Sequence, residues 1–311
     1  MKIKILILFA IFSMTNACTT DYTKPYSDTP TTGTVSIFAD ETLKPFVDAE
    51  KDTFIGLYRY ATLKVNFASE SDCFKALLQD SAKVIFTSRK LRANEESVFK
   101  SKQLIPITTK VAMDALALII NKDNPDSIIK ISQLKSILDG TLVSWKNMNK
   151  KSALNEISFV FDKNGSSTVR YLRDSVLKGN NFSSNCFAAQ SNADVIDYVE
   201  KHKNAIGIVG VSWLSDGDDP ATKQFLSRIR VMEVASMDSA IFPDDYFKPY
   251  QAYIALKQYP LVREVYMINR EGRTGLGTGF VSFVAGDQGQ RIVRLSGLLP
   301  ATMPIRIIKL N

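Results

Sequence analysis

Three short segments of the chain place hydroxyl, charged and amide groups directly after an apolar, strand-like run. They are "ADETL" (39–43), "TSR" (87–89) and "NGSST" (164–168). Hydroxyls and free backbone N–H groups at the start of a helix can hold an anion, because they donate hydrogen bonds and the helix dipole favours negative charge. Each segment alone is more often a turn or a helix cap. Together they predict a polar ligand site built from N–H and hydroxyl donors.

The elements around these segments predict an α/β protein. The apolar runs "TVSIFA", "ATLKVNFA" and "AKVIFTS" alternate with amphipathic stretches, and Asp40 is suited to cap the first helix. This β-α-β-α-β order is typical of a parallel sheet, in which ligands bind at the carboxyl ends of strands. Near the C-terminus, "GLGTGF" is predicted to be a loop, and "FVSFVAGDQGQRIVRLSGLLP" a single helix that ends at Gly297.

The first residues have the layout of a secretory signal peptide. Lys2 and Lys4 precede an apolar run over residues 5–12, and small residues follow. Cys18 comes directly after Ala17, so residues 1–17 are predicted to be a lipoprotein signal and Cys18 the lipidated N-terminus, with simple secretion as the alternative. Residues 18–32 are rich in Thr and Pro and are predicted to form a tether. The expected location is the periplasm or cell envelope, with a lipid anchor as the contact with the membrane.

Composition argues against several classes of function. The 311 residues carry a formal charge of +7, but no dense Lys/Arg block indicates nucleic-acid binding. The single histidine, His202, lies at a charged helix end, and the cysteines are not clustered, so no metal site is expected. Cys73 and Cys186 could pair in an exported protein, although two free thiols are the preferred prediction. There is no G-x-S-x-G motif, and neither an enzyme nor a cofactor is predicted.

Six segments occur in the order found in a known family. The chain resembles the substrate-binding proteins of phosphate ABC transporters from about residue 34 to residue 300. The segments are "MDALALIINKDNP", "ISQLKSILDGTLVSWKNM", "DKNGSSTVRYL", "NAIGIVG", "YPLVREVYMI" and "FVSFVAGDQGQRIVRLSGLLP". The resemblance implies a two-lobed type II periplasmic-binding-protein fold in which each lobe is a mixed sheet flanked by helices, with two crossovers as the hinge. Lobe 1 would comprise residues 33–116 and 251–311, and lobe 2 residues 117–250.

The resemblance also implies a ligand set for phosphate, contributed by three loops. The residues at the matching positions are Thr42, Leu43, Ser88, Arg89, Ser166, Ser167 and Thr168. Four positions differ from the family pattern, and one of them is Ser167, which stands where the family's Ser-Gly-Thr loop has its glycine. Asp40 and Glu41 stand where small or hydroxyl residues are common, and Asp162 stands where an arginine usually pairs with the phosphate. A carboxylate about 4 Å from a unit negative charge is repelled by roughly 1 kcal/mol in water, and by more in a closed cleft.

The sequence therefore leaves three hypotheses in order of preference. The first is a monomeric solute-binding lipoprotein that captures phosphate or a related oxyanion for an ABC transporter permease. The second is an envelope sensor or scaffold with the same fold, whose altered cleft binds another ligand or a protein partner. An enzyme such as a phosphatase is the least favoured, because no set of metal ligands is present.

Overall fold

The computed structural model describes residues 28–215 and 220–302. The strands are β1 (Gly33–Asp40), β2 (Ala61–Ala68), β3 (Val84–Thr87), β4 (Ile107–Asn121), β5 (Ile128–Lys130), β6 (Ser158–Phe161), β7 (Cys186–Ala188), β8 (Ala205–Gly210), β9 (Ile229–Val231), β10 (Glu233–Ala235), β11 (Val262–Asn269) and β12 (Leu299–Pro300). The helices are α1 (Lys44–Leu57), α2 (Glu70–Leu78), α3 (Ala93–Ser101), α4 (Ile131–Asp139), α5 (Trp145–Met148), α6 (Ser167–Tyr171), α7 (Asn192–Lys201), α8 (Pro220–Arg228), α9 (Gln251–Ala255), α10 (Leu276–Ala285) and α11 (Asp287–Leu295).

The main sheet is mixed and has the strand order β2-β1-β3-β11-β4-β8-β6-β7. Strand β4 divides it, because residues 107–115 pair with β11 whereas residues 116–120 pair with β8. We call the strands on the β11 side the first half and those on the β8 side the second half. The predicted lobe boundary between residues 116 and 117 lies one residue beyond this change of partner; the lobe limits otherwise stay a prediction.

The parallel strands of each half end near the other half. In the first half, β1 pairs in parallel with β2 and β3, and in the second half β6 pairs in parallel with β7 and β8. Hydrogen bonds join the residues that follow β1 and β2 to the residues that follow β6 and β7. The fold thus brings loops far apart in the sequence to one place, as expected for strand ends in an α/β sheet.

Aromatic and aliphatic side chains from both faces of the sheet form the core that holds these loops. In the first half, Phe86 of β3 packs edge-on against Phe46 of α1 and Phe280 of α10, and all three are fully buried. In the second half, Trp145 is buried and donates its indole N–H to the Asn204 carbonyl at 3.0 Å. Burying one such side chain stabilises the fold by about 1.5–3 kcal/mol, so the packed core fixes the positions of the strand ends.

The C-terminal elements differ from the sequence prediction. The segment "GLGTGF" is not a loop, because Gly275 caps α10 and the following residues are helical. Glycine is required there by close packing: a Cβ on Gly279 would lie 1.9 Å from the Pro30 carbonyl oxygen. The predicted single helix is also wrong, since Gly286 adopts an extended conformation and separates α10 from α11.

The predicted signal peptide (1–17) and the lipidation site Cys18 lie outside the described residues. Residues 28–32, placed in the tether by the sequence prediction, pack on the start of α10, where Asp28 accepts the N–H of Leu276 at 2.9 Å. Among the described helices, none has both the length and the apolar character needed to cross a membrane. Cys73 and Cys186 are free thiols; Cys73 is buried, as predicted, whereas Cys186, also predicted to be buried, is only partly so.

Candidate functional site

The first and third predicted donor loops meet in the interior. Thr42 follows β1, Ser167 begins α6, and their hydroxyl oxygens lie 3.2 Å apart although 125 residues separate them in sequence. Both residues and the neighbouring Thr168 are fully buried. Leu43 is buried at the end of the 3-10 turn Glu41–Leu43, next to Thr42. Residues of both loops that the sequence predicted as ligands are therefore in one site.

Asp40 lies between these two loops and accepts hydrogen bonds from a backbone N–H group of each. As predicted it is an N-cap: its Oδ1 accepts the Thr42 N–H at 2.9 Å. Its Oδ2 accepts the Ser167 N–H at 2.8 Å, which joins the first half to the second. The side chain is fully buried. Burial, followed by repulsion from Glu70, raises the pKa of Asp40. The chain's own carboxyl group thus occupies a donor that the resemblance assigned to an anionic ligand.

Arg263 supplies the positive charge of this interior site. Its Nη1 donates to the Ser167 hydroxyl at 2.7 Å and its Nη2 to the Thr42 hydroxyl at 2.9 Å. Its Nε donates to Asp114 Oδ2 at 2.9 Å. Burial lowers the pKa of Arg263, but Asp114 and Asp40 raise it above its ordinary value, so the guanidinium stays charged. We call Asp40, Thr42, Asp114, Ser167 and Arg263 the buried site.

The sequence prediction missed Arg263 because its neighbours are distant along the chain. Arg263 lies in β11 and is paired with Asp114 of β4 across an antiparallel ladder, 149 residues away. The family arginine expected at position 162 is an aspartate here. Asp162 is buried, and its Oδ1 accepts the Ser166 hydroxyl at 2.7 Å, while Oδ2 has no hydrogen-bond partner within residues 28–215 and 220–302. Burial, followed by repulsion from Asp40, raises the pKa of Asp162 well above its ordinary range.

Glu70 organises the second predicted donor loop. Its Oε1 accepts the Ser88 N–H at 2.9 Å, the Ser88 hydroxyl at 3.0 Å and the Thr87 hydroxyl at 2.8 Å. Its Oε2 accepts Arg170 Nε of the second half at 2.5 Å. Burial raises the pKa of Glu70, but Arg170 and these hydrogen bonds outweigh it and lower the pKa. Glu70 follows β2, so the strand-end rule that predicted the other loops could have found it.

Arg89, the predicted ligand in this second loop, is held on the outer side. Its guanidinium donates to both oxygens of Glu95 at 2.7 Å and lies 3.4 Å from the centroid of the Phe74 ring. Arg89 Nε lies 3.9 Å from Glu70 Oε2. The structure therefore places Arg89 beside the second loop, with a bidentate partner of its own, and not in contact with Thr42 or Ser167.

Glu41 makes a further connection between the halves. Its Oε2 accepts the backbone N–H of Asn192 at 3.2 Å, at the start of α7, and also the Asn192 side-chain amide. Burial raises the pKa of Glu41. Asp40, Glu41 and Glu70, which we call the acidic cluster, all belong to the first half, and each binds a donor of the second half. The three carboxyl groups therefore fasten the two halves together.

A cavity of about 460 Å³ opens outside the acidic cluster. Four arginines line it: Arg89 and Arg92 from the first half, and Arg170 and Arg173 from the second. Glu70 forms part of its wall. We call it the arginine-lined cavity. The formal charge of the residues that line it is positive, whereas that of the buried site is negative.

The topology and the strand-end site define a type II periplasmic-binding-protein fold, as predicted from the sequence. A family model described as a PBP superfamily domain matches residues 24–288. The chain belongs to the PBP superfamily, and the predicted resemblance to substrate-binding proteins of phosphate ABC transporters is confirmed.

Individual relatives show the same similarity at low identity. The chain is 23% identical over 284 residues to "Phosphate-binding protein PstS" of Pseudomonas aeruginosa, covering 86% of this chain and 83% of that protein. An ABC-type phosphate transport receptor from Vibrio cholerae matches with a TM-score of 0.62 and 17% identity, over 86% of this chain and 100% of the other. A phosphate binding protein from Stenotrophomonas maltophilia matches with a TM-score of 0.60 and 12% identity, over 86% and 91%. At these identities the solved structures show the fold alone.

Proposed function

We propose that this protein is an extracytoplasmic solute-binding protein that captures phosphate or a related oxyanion for an ABC transporter. The observation that carries the proposal is the convergence of the Arg263 guanidinium and the hydroxyls of Thr42 and Ser167 in the interior. A guanidinium and two hydroxyls gathered within hydrogen-bond distance of one another suit the oxygens of a tetrahedral anion, to which they would turn when it binds. The phosphate-binding relatives support the same class of ligand.

In this proposal the anion takes the place of the Asp40 carboxyl group. The donors that Asp40 now occupies, the N–H groups of Thr42 and Ser167, would turn to the ligand. A charged Asp40 beside the anion would cost roughly 1–4 kcal/mol at 4 Å, for effective dielectric constants from about 80 to about 20. Since the pKa of Asp40 is raised, protonation of this residue reduces that cost.

The remaining predicted ligands complete the proposed site. Leu43 would offer a backbone N–H, and Ser88, Ser166 and Thr168 would offer hydroxyls. Arg89 would join only by exchanging Glu95 for the anion. Residues 33–116 with 251–311, and residues 117–250, would act as two lobes that close on the ligand about the crossovers. We assign the protein no catalytic role and propose that it acts as a monomer, anchored through Cys18 and serving a permease.

Isothermal titration of ligand-stripped protein with inorganic phosphate tests this function. We expect saturable heat with a Kd in the micromolar range or tighter, that is, a binding free energy of about −8 kcal/mol or stronger. The Ser167→Ala variant, which removes one hydroxyl without adding a charge, should bind phosphate more weakly than the wild type. No heat at millimolar phosphate would exclude phosphate as the ligand while leaving the fold assignment intact.

The acidic cluster favours a second candidate, an envelope sensor or scaffold. Asp40, Glu41 and Glu70 bind donors of the second half from within the chain, so the two halves can stay together without an external anion. In this candidate the closed form is the functional state, and the cleft binds another ligand or a protein partner. Fold alone does not decide between the two candidates.

Small-angle scattering with and without phosphate discriminates between them. A transport receptor should be more open when stripped, and its radius of gyration should fall when phosphate is added, because ligand closes the halves. A sensor fastened by its own carboxylates should give the same radius in both conditions. The Asp52→Asn variant, which removes one exposed charge on α1, serves as the matched control for changes in net charge.

A further inference from the structure

The arginine-lined cavity carries charge that the chain itself does not fully neutralise. Its lining contains four arginines and one glutamate, a formal sum of 4 − 1 = +3. Glu95, outside the lining, pairs with Arg89 and reduces the sum to +2. Asp174 is half exposed and lies 3.8 Å from Arg170 Nη1, a loose contact in water. Surface pairs of this kind contribute little, so the cavity keeps an attraction for anions.

Two of the four guanidinium groups are held in place. Arg89 is fixed by the bidentate contact with Glu95 and by the Phe74 ring. Arg170 is fixed by Glu70 and by the Ser88 hydroxyl, which accepts its Nη2 at 2.7 Å. A planar guanidinium whose position is already fixed loses little conformational entropy when it binds an oxyanion. The inner end of the cavity is therefore preorganised.

The other two arginines are exposed and lie in different halves. Arg92 is the N-cap residue of α3, and Arg173 lies in the π-helical segment Leu172–Val176, 5.7 Å from the centroid of the Phe182 ring. Since Arg92 belongs to the first half and Arg173 to the second, one ligand could contact both. Their charges account for the +2 that remains.

We propose that the arginine-lined cavity is a second anion site, separate from the buried site, and that it binds a phosphate monoester. A phosphoryl group carries a charge of about −1.5 to −2 at pH 7 and pairs well with arginine, which matches the remaining +2. The volume of about 460 Å³ falls in the range of small-molecule sites and exceeds what one phosphate fills, so an organic group fits beside it. Ser71 and Asn164 in the lining offer hydrogen bonds to hydroxyls of that group.

The proposal does not depend on phosphate binding in the buried site. The phosphoryl group would lie among the guanidinium groups, outside Glu70, whereas the buried site lies around Arg263. The cavity lining contains none of the five residues of the buried site, although it includes Arg89 and Ser166, which are proposed above as additional ligands of inorganic phosphate. A ligand in the cavity would contact both halves and would therefore favour the closed arrangement.

Titration with glycerol 3-phosphate at low and at physiological salt tests the second site. We expect saturable binding to the wild type and a loss of affinity of about 10- to 100-fold in Arg92→Ala/Arg173→Ala, since each arginine makes a charge-assisted contact. The lysine pair Arg92→Lys/Arg173→Lys should fall between them, because lysine keeps the charge but not the planar fork. The matched control is Arg59→Ala/Arg291→Ala, which removes two exposed arginines outside the cavity and should bind within about twofold of the wild type.

A second variant and a second ligand distinguish binding in the buried site from binding in the arginine-lined cavity. Ser167→Ala should weaken inorganic phosphate and leave glycerol 3-phosphate unchanged within about twofold. If the wild type binds glycerol 3-phosphate but not inorganic phosphate, this result would overturn the proposed function and support the second site. The second site is overturned if the wild type does not bind glycerol 3-phosphate at 1 mM (on the order of a −4 kcal/mol interaction). It is equally overturned if the cavity pair and the control pair lose affinity to the same extent.

Discussion

The buried site and the arginine-lined cavity lie on either side of Glu70 and are built on opposite principles. In the buried site, Arg263 is enclosed, and Thr42, Ser167 and Asp114 take its hydrogen bonds. In the cavity, Arg92 and Arg173 are exposed. Buried donors must find partners inside the protein, whereas exposed ones find water.

This difference teaches how to recognise an anion site in such a fold. A backbone N–H at a strand end is evidence for a ligand only when no group of the chain accepts its hydrogen bond. Here Asp40 accepts the N–H of Ser167, and Glu70 accepts the N–H of Ser88. A surplus of arginine over carboxylate around a cavity is the more discriminating sign, because the chain leaves those guanidinium groups without a countercharge and they attract anions.

The comparison predicts its largest effect at Arg263. Replacement by Met should destabilise the protein by about 3–5 kcal/mol, because Asp114 would remain buried without its countercharge. Urea unfolding followed by circular dichroism measures the loss. Adding Asp114→Asn to Arg263→Met should restore part of the stability, since the stranded charge is then removed.

The exposed Arg291→Met is the control for this prediction, with an expected change within about 0.5 kcal/mol. A loss below about 1 kcal/mol for Arg263→Met would contradict the view that the buried site is held together by this residue. It would also weaken the contrast with the cavity, whose exposed Arg92 and Arg173 should be removable at little cost to stability.

Much of the fold could be predicted from the sequence, because the patterns that indicate it lie within short segments of the chain. Strand–loop–helix order, the Asp40 cap and the donors at Thr42 and Ser167 follow from short-range periodicity and capping chemistry. Glu70 follows β2 in the same way and was overlooked. The pairing of Arg263 with Asp114 could not be predicted, because it depends on the register of an antiparallel ladder between residues 149 positions apart.

Two buried glutamates provide the next test. Glu50 on α1 is fully buried, and neither of its carboxyl oxygens has a hydrogen-bond partner among the described residues. Burial raises the pKa of Glu50 to about 9, whereas the pKa of Glu70 is lowered. An acid whose pKa is raised by folding stabilises the native state below its unfolded pKa and loses that contribution as pH rises towards the folded value. Glu50 should thus lower the stability of the wild type between about pH 5 and pH 9, by roughly 1.4 kcal/mol per pH unit at most, in addition to the effect of other carboxyl groups whose pKa burial raises, such as Asp162.

Glu50→Gln should remove this slope, so the difference in unfolding free energy between the variant and the wild type should grow with pH. Urea unfolding at pH 5, 7 and 8.5 measures it. Glu233→Gln, at a partly exposed glutamate whose Oε1 lies 3.6 Å from Lys248 Nζ, makes a suitable reference variant. A difference that stays constant with pH would mean that Glu50 is ionised in the folded protein. Burial without hydrogen-bond donors would then not explain why the pKa of Glu50 differs from that of Glu70.

Asp40→Asn tests whether the filled donors compete with an external anion. Removing the charge should tighten inorganic phosphate by about fivefold or more, since repulsion of roughly 1 kcal/mol or more is relieved and a tenfold change corresponds to about 1.4 kcal/mol. Titration calorimetry of the stripped variant checks this, with Asp52→Asn as the exposed counterpart. Weaker phosphate binding in Asp40→Asn would show instead that the carboxyl group itself helps to hold the ligand.

The smallest expected effect is at Glu41, the outermost member of the acidic cluster. Glu41→Gln keeps the shape of the side chain but removes the charge that accepts the N–H of Asn192 at the start of α7. The loss should be about 0.5–1.5 kcal/mol, the size of one hydrogen bond, and should be confined to local opening. Hydrogen exchange at the Asn192 amide should therefore quicken by about 2- to 10-fold, while the amides of β8 stay protected. Equal acceleration across α7 and β8 would mean that Glu41 supports the whole second half rather than the contact between the halves.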